Sequence, residues 1–346
     1  MRALTISAFG GLDKIEFRDD LEKPEPQPGW VRVKIDACAL NHLDVFVVRG
    51  LPNKAPTPKW ILGSDASGTI DAIGGDIPAR YHVRPGDRVV INPGISTRDD
   101  EYTQRGEEPL SPGFGVLGEH LPGVFAEYVC VPARNVRVIP SSVPADVAAA
   151  YTLSTLTAWR MCMTRAAVSN KDDVLIWGIG GGVALAALAI CKARGARVWV
   201  TSSSDAKLAR AKALGADEVL NHQNVDVAAE VRARTGKRGV TVVVDTVGTA
   251  TWSQSLRALG RGGRLVTCGG TSGPMVETDV RRLFWNQWSI LGSTMGTEAE
   301  FEAVTAELIS GRLTAVVDST FPLAQGRDAF ERMERGEQFG KIVLRV

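Results

Sequence analysis

Four glycines, at 178, 180, 181 and 182, stand between the apolar run Val174 to Trp177 and the segment Val183 to Ala193, whose Ala, Leu and Ile residues extend too far for a buried strand. That order reads as strand, tight turn, helix. Glycine at such a turn lets backbone N–H groups at a helix N-terminus close on a pyrophosphate. In the best register of the G-x-G-x-x-G/A pattern, Ile179, Gly181 and Ala184 take the three glycine places, and Gly181, Gly182 and Val183 are the phosphate contacts. A second run, Arg197 to Thr201, ends in Ser202, Ser203 and Ser204. A site for NAD carries Asp or Glu there to accept from the ribose 2′-hydroxyl. Serine hydroxyls instead donate to a 2′-phosphate, and Lys207 in the next helix adds a point charge. These residues predict NADPH; the competing reading is a plain turn with an N-cap and a surface lysine.

The element that positions these residues is one βαβ unit, closed by Gly215 after a Lys- and Arg-rich helix that Asp205 opens. Further strands follow at Glu218 to Leu220, Val240 to Asp245, Gly263 to Cys268 and Ile290 to Ser293, alternating with helical stretches. The pattern predicts a doubly wound α/β domain with six parallel strands. Its carboxyl strand ends place Asn221 and His222 at the adenine edge, then Thr246 with Val247 and Gly248, then Cys268, Gly269 and Gly270 at the ligand side. Residues 1 to 140 read differently. Short runs at Met1 to Ser7, Val31 to Ala37, Gly68 to Ile73, Arg88 to Ile91 and Val124 to Val131 lie between Pro/Gly turns, which predicts a mostly antiparallel β domain. One Ala-rich helix from about Ala145 through Trp159 joins the two textures.

The chain has 346 residues, enough for two domains, and 40 Lys and Arg against 39 Asp and Glu. That balance gives no general attraction for nucleic acid or an anionic membrane. With no apolar run of about 18 residues and no apolar core of a secretory signal near Met1, a cytosolic chain is expected. Five scattered cysteines with no CxxC pair are expected to be free, buried thiols, Cys268 included.

Several motifs, in order, carry a resemblance. GDRVV at Gly86, GVFAEYV at Gly123, the Leu156-Thr157 pair, the GGV turn, KLARAKALGAD, VVVDTVG and the closing GKIVL resemble the medium-chain dehydrogenase/reductase superfamily over essentially the whole chain. ALNHLDVFVVRG and ILGSDASG look like its zinc-type alcohol dehydrogenase-like and quinone oxidoreductase-like proteins. The resemblance implies a GroES-like catalytic domain at 1–153, a Rossmann NADPH domain at 154–295 and a return segment, 296–346, that completes the first. It also implies that Thr157 packs on the nicotinamide and that Lys341 reaches the cofactor, unless it is a surface lysine.

Where zinc-dependent members hold their catalytic metal, this chain reads Asn41, Ser64 with Asp65, and Leu153. Asp65 with His42 does not make a tetrahedral set, so no metal is expected. Where the family's structural zinc has four cysteines, Thr97, Asp100, Thr103 and Ser111 stand, and that lobe is either held by hydrogen bonds and packing or mobile. Asn41, His42 and Asp65 are the candidate catalytic residues. Asn41 either donates to a substrate oxygen or closes an Asx turn; His42 either does the same or lies beside the cofactor pyrophosphate. Asp44 caps a helix or orients His42, and Asp65 does acid/base work or forms a salt bridge, with Arg49 as the suggested partner.

The combined reading is an NADPH-dependent, zinc-independent oxidoreductase acting on a quinone or α,β-unsaturated carbonyl. The alternatives are an alcohol dehydrogenase or carbonyl reductase of the same fold, and a non-catalytic NADPH-binding protein. A homodimer or tetramer is expected through the edge strand within Trp288 to Met295, with Trp285 and Trp288 either interface anchors or core aromatics.

Overall fold

The computed structural model describes residues 1–50 and 57–346. It divides into two compact units, Met1–Leu153 with Gly296–Val346, and Ser154–Met295.

The first unit is built on a seven-stranded sheet whose central member is the strand Trp30–Ala39. Lys34 and Asp36 face solvent while Val31, Val33 and Ile35 are buried, the alternation of a strand with one wet face; toward its end Ala37, Cys38 and Ala39 are all enclosed. Asp65–Ile73 pairs antiparallel on one side, with Asp65 opposite Ala39. On the other side Lys341–Arg345 pairs antiparallel, with Val343 opposite the same Ala39. Two strands distant in sequence therefore present Asp65 and Lys341 at the end of Trp30–Ala39, just before helix α1 (His42–Arg49) begins at its N-cap Asn41. Because Lys341–Arg345 belongs to the segment Gly296–Val346, the first unit is discontinuous.

The joining helix differs from the single run expected. It breaks into Ala145–Ala149 and Thr152–Trp159, followed by a π-helical turn at Arg160–Arg165. Tyr151 sits in the break, fully buried, its hydroxyl donating to the Val304 carbonyl at 2.8 Å. The break exposes a second helix start, whose unpaired N–H groups need acceptors. Leu153 N finds one in Asp65.

The lobe that resembles a metal-binding one is held by hydrogen bonds among the very residues in the cysteine places. Asp100 caps the turn Glu101–Gln104 by accepting from the N–H groups of Tyr102 and Thr103. Ser111 Oγ donates to Asp100 Oδ2 at 2.6 Å, Thr103 Oγ1 accepts from Asp100 N at 2.9 Å, and the Thr97 hydroxyl and N–H both donate to the Gly113 carbonyl. Short polar side chains do locally what thiolates on a metal do at long range.

In the second unit six parallel strands form one sheet: β1 (Asp173–Ile176), β2 (Arg197–Ser202), β3 (Glu218–Asn221), β4 (Val240–Val244), β5 (Leu259–Thr267) and β6 (Ser289–Gly292). Their order is β3-β2-β1-β4-β5-β6, so the direction of winding reverses between β1 and β4. Val174 to Ile176, Val198 to Val200 and Val242 to Val244 are buried without alternation, as strands covered on both faces must be. Strand β6 is at the edge.

Trp288 is a core residue rather than an interface anchor: its indole N–H donates to the Gly260 carbonyl at 2.7 Å and only 7% of it is exposed. Trp285 is open to solvent. All five cysteines are free, but only Cys38, Cys162 and Cys191 are buried, Cys130 and Cys268 being partly accessible. Desolvation pushes the Cys268 thiol up to about 12, which leaves it a filler rather than a nucleophile. Among the described residues no helix is long and apolar enough to cross a membrane.

Candidate active site

Two of the three candidate catalytic residues, Asn41 and Asp65, meet in a buried polar set that does not include His42. Asp65 has no exposed surface; its Oδ1 accepts from Leu153 N at 2.7 Å, and its Oδ2 accepts from Asn41 Nδ2 at 3.0 Å and from Lys341 Nζ at 2.9 Å. Lys341 Nζ also donates to Asn41 Oδ1. Lys341 is 4% exposed and Asn41 9%. The sheet explains the meeting, since Asp65 and Lys341 start strands on opposite sides of the one that ends just before Asn41. The partner of Asp65 is thus Lys341 and not Arg49, which pairs with Glu334 at 2.7 Å on the surface. Lys341, expected at the cofactor or on the surface, has its ammonium on Asn41 and Asp65.

Asn41 is the N-cap of α1, and Asp44 reaches back to accept from Asn41 N at 2.7 Å. Asp44 therefore caps the helix. Burial pushes its carboxyl up to about 7, the Asn41 N–H and the Lys341 charge opposing that shift. His42 opens α1 with its ring accessible to solvent, and desolvation by the surrounding protein together with the Lys341 charge lowers its pKa below the ordinary value. It is a neutral imidazole at neutral pH.

The family resemblance raises the question of zinc at this place, and the donor set does not fit it. Ser64 Oγ donates to the Leu117 carbonyl at 2.7 Å, Leu153 offers only its backbone, and Asp65, the one carboxylate, is neutralised by an ammonium. Among the described residues no group of three or more His, Cys, Asp or Glu side chains is arranged to hold a metal ion. Zn²⁺ needs three or four N, S or O donors with their charge free for it.

The second unit gathers the cofactor candidates along the carboxyl ends of its strands. Helix α2 (Gly182–Ala193) starts at the N-cap Gly181, so the N–H groups of Gly182 and Val183 are unpaired helix-start donors. Gly178 and Gly180 have φ of 69° and 120° and turn the chain. Gly181 has an ordinary extended backbone with φ of −76°, and a Cβ there would meet nothing nearer than the Gly178 carbonyl oxygen at 3.8 Å. Neither backbone conformation nor packing accounts for glycine at that position; close approach of an external group does, and a dinucleotide pyrophosphate fits it.

At the end of β2, Ser202 Oγ accepts from Ser204 N at 3.1 Å, and Ser204 Oγ caps helix α3 (Asp205–Ala213) by accepting from Lys207 N. Ser203 is exposed. Asn221 lies opposite Ser202, and His222 N donates to the Ser202 carbonyl at 3.1 Å. Asn221 Nδ2 donates to Asp205 Oδ1 at 2.7 Å, so that carboxylate is engaged by β3. The loops after β4 and β5 meet: Thr271 N donates to the Thr246 carbonyl, and Gly269 faces the same oxygen. Thr157 is buried, its hydroxyl 3.7 Å from Met295 Sδ.

One organising residue went unread in the sequence. Asp245, wholly buried after β4, accepts from Val247 N, Gly248 N, the Thr251 hydroxyl and the Ser255 hydroxyl at 2.6 to 3.1 Å. It fixes the loop that carries Thr246. The signal was an Asp ending an apolar strand just before Thr-Val-Gly, where a carboxylate can bond to its own downstream backbone.

The fold agrees with known proteins. A model of the alcohol dehydrogenase GroES-like domain matches residues 27–141, and one of a zinc-binding dehydrogenase domain matches 182–310. The quinone oxidoreductase of Homo sapiens is 28% identical over 351 residues, covering 99% of this chain and 97% of that protein. Among solved structures, an NAD-dependent alcohol dehydrogenase is 40% identical with a TM-score of 0.93, covering 100% of both chains. A cobalt- and zinc-bound thermostable alcohol dehydrogenase from Pyrobaculum aerophilum is 32% identical with a TM-score of 0.88, covering 100% of this chain and 99% of that one. The chain belongs to the medium-chain dehydrogenase/reductase superfamily, in its zinc-type alcohol dehydrogenase-like and quinone oxidoreductase-like branch. It is an oxidoreductase of that family.

Proposed function

We propose that this chain is an NADPH-dependent, zinc-independent oxidoreductase that reduces a quinone or an α,β-unsaturated carbonyl. The observation that carries the reading is the Asn41, Asp65 and Lys341 set, hydrogen-bond donors and a buried ammonium where a metal's ligands would stand. The bound nicotinamide supplies the hydride. Without a Lewis acid, the oxygen that gains charge must be met by fixed N–H donors. A conjugated acceptor suits that, because hydride adds at the far carbon, the charge spreads to the oxygen, and a proton from water completes the product. Asn41 donates to that oxygen, and the His42 imidazole is a second donor.

Ser202, with no carboxylate on β2 to accept a 2′-hydroxyl, supports NADPH. The 40% identical NAD-dependent alcohol dehydrogenase favours the second reading, an NADH-linked dehydrogenase of alcohols. Consumption of NADPH and NADH measured over quinones, enones, aldehydes and alcohols separates the two. The expected outcome is NADPH-linked turnover of quinones or enones by protein containing well under one zinc per chain; turnover confined to alcohols, or dependence on stoichiometric zinc, would reject the reading.

The same reading takes the chain as a homodimer, or a tetramer of such dimers, joined at β6. Ile290 on that edge strand and Val280, Phe284 and Trp285 on the preceding helix are exposed apolar side chains. An uncovered edge beside such a patch invites a defined partner.

A further inference from the structure

We propose that Lys341 is a positioning residue for the reaction, acting through Asn41. With Asp65 it fixes which end of the Asn41 carboxamide is presented to a reacting oxygen. The inference rests on the proposed function and adds to it a residue outside the catalytic set Asn41, His42 and Asp65.

A primary amide has one acceptor oxygen and one nitrogen with two hydrogens, and by shape alone it can sit either way round. Here two opposite charges decide. The Lys341 ammonium, which only donates, is on Oδ1; the Asp65 carboxylate, which as an ion only accepts, is on Nδ2 at 3.0 Å. A flip would put N–H groups against an ammonium and an oxygen against a carboxylate, two buried repulsions in place of two charge-assisted bonds. The orientation is therefore single. One hydrogen of Nδ2 is consumed by Asp65, and the other is left as the donor available to a substrate oxygen.

The cation also polarises the amide. A positive charge on Oδ1 draws electron density from nitrogen and strengthens its remaining N–H as a donor. The bond between Lys341 and Asp65, at 2.9 Å, holds the ammonium at this spot and satisfies it when no substrate is present. The sheet supplies the rigidity: Lys341 and Asp65 each open a strand flanking Trp30–Ala39, and Leu40 N donates to the Ile342 carbonyl beside them. Asp65 is fixed from a further side by Leu153 N.

The test uses the intact protein and the variants Lys341→Met, Lys341→Arg and Asn41→Ala. NADPH affinity is read by titration, and kcat and KM by reduction of the best acceptor in the quinone and enone panel. Lys341→Met is expected to lower kcat by roughly tenfold or more, up to the roughly hundred- to thousandfold of losing an oxyanion donor outright, with the NADPH Kd changed by less than about twofold. Asn41→Ala should give a similar loss, and the double variant little more than either single, because two residues acting as one unit are not additive. Lys341→Arg, which keeps the charge and both acceptors, should recover most of the activity.

An NADPH Kd raised about tenfold with kcat intact would overturn the inference and make Lys341 a phosphate ligand. Additive losses in the double variant would overturn it as well. Should Lys341→Met fail to fold, combining it with Asp65→Asn removes the stranded charge; a kcat like that of the unmodified protein in that variant would reject the role. Absence of turnover by the unmodified protein over the whole panel rejects the proposed function and this role together, whereas normal turnover undiminished by the Lys341 variants rejects the role alone.

Discussion

Lys341 Nζ and Asp65 Oδ2 are 2.9 Å apart, with 5% and none of the respective side chains exposed, so the pair is an ion pair nearly without solvent. Its desolvation offsets much of its attraction, and the stabilising part shows only when one partner is removed. Lys341→Met should therefore lower the free energy of unfolding by roughly 3–5 kcal/mol. Lys341→Met combined with Asp65→Leu should cost less than the single change, although it removes more polar contacts. Urea unfolding of the three proteins reads this directly, and a double variant less stable than the single one would sink the expectation.

Asp44 predicts a pH dependence of stability. Its carboxyl titrates near 7 in the folded chain against an ordinary 3.8, because burial favours the neutral form. Between those values the native state holds a proton that the unfolded chain has released. Stability from this group is present below about pH 4 and is lost as pH rises through about 7, by up to roughly 4 kcal/mol. Asp44→Asn should flatten that fall. Thermal unfolding measured at several pH values from 5 to 8 checks it; identical slopes for the two proteins would count against the assignment.

Cofactor choice should turn on Ser202. A carboxylate introduced by Ser202→Asp would repel a 2′-phosphate and accept from a 2′-hydroxyl, narrowing or inverting an NADPH preference by roughly tenfold or more. Dissociation constants for both cofactors, by fluorescence titration, decide. Tighter binding of NADH by the unmodified protein rejects the NADPH reading.

The lobe at residues 97–113 should depend on Ser111, whose hydroxyl joins Asp100, Ser96 and Gly113 N. Ser111→Ala should cost about 1 kcal/mol and leave Asp100 without one of its donors. Limited proteolysis should then cut between residues 97 and 113 several-fold faster. Unchanged cleavage would mean that packing alone holds the lobe.

Assembly is tested at the β6 edge. Sedimentation at micromolar concentration should show no appreciable monomer, and Phe284→Lys with Trp285→Lys should release it, since both rings are largely exposed in the single chain. A well-behaved monomer of the unmodified protein contradicts the proposal.

The parallel sheet was legible because its strands are unbroken apolar runs separated by glycine turns, as in Val174 to Trp177 before Gly178. Asn41 and Asp65 were each legible as candidate site residues, though not as partners of one another. Their link to Lys341 was not, because it depends on the register of a strand hundreds of positions further on, which no local pattern records. The break at Ala150 and Tyr151 was hidden for a related reason: alanine-rich sequence favours helix throughout, and the tertiary bond from Tyr151 to Val304 is invisible locally. Trp288 had two open readings from its sequence, and only the partner for its indole N–H, Gly260, decided between them.

The discontinuity of the first unit has a consequence for how the protein comes into being. Asp65 and Lys341 are 276 positions apart in sequence. A ribosome delivers Asn41 and Asp65 early, and then the whole of Ser154–Met295, before it delivers the strand Lys341–Arg345. At the usual pace of synthesis, about 5–20 residues per second, the carboxylate waits on the order of 14 to 55 seconds for its counter-ion. The second unit has time to fold first, and the nascent first unit must tolerate an unmatched charge at the place where its sheet is unfinished. Arrival of the strand Lys341–Arg345 is then the event that closes the ion pair.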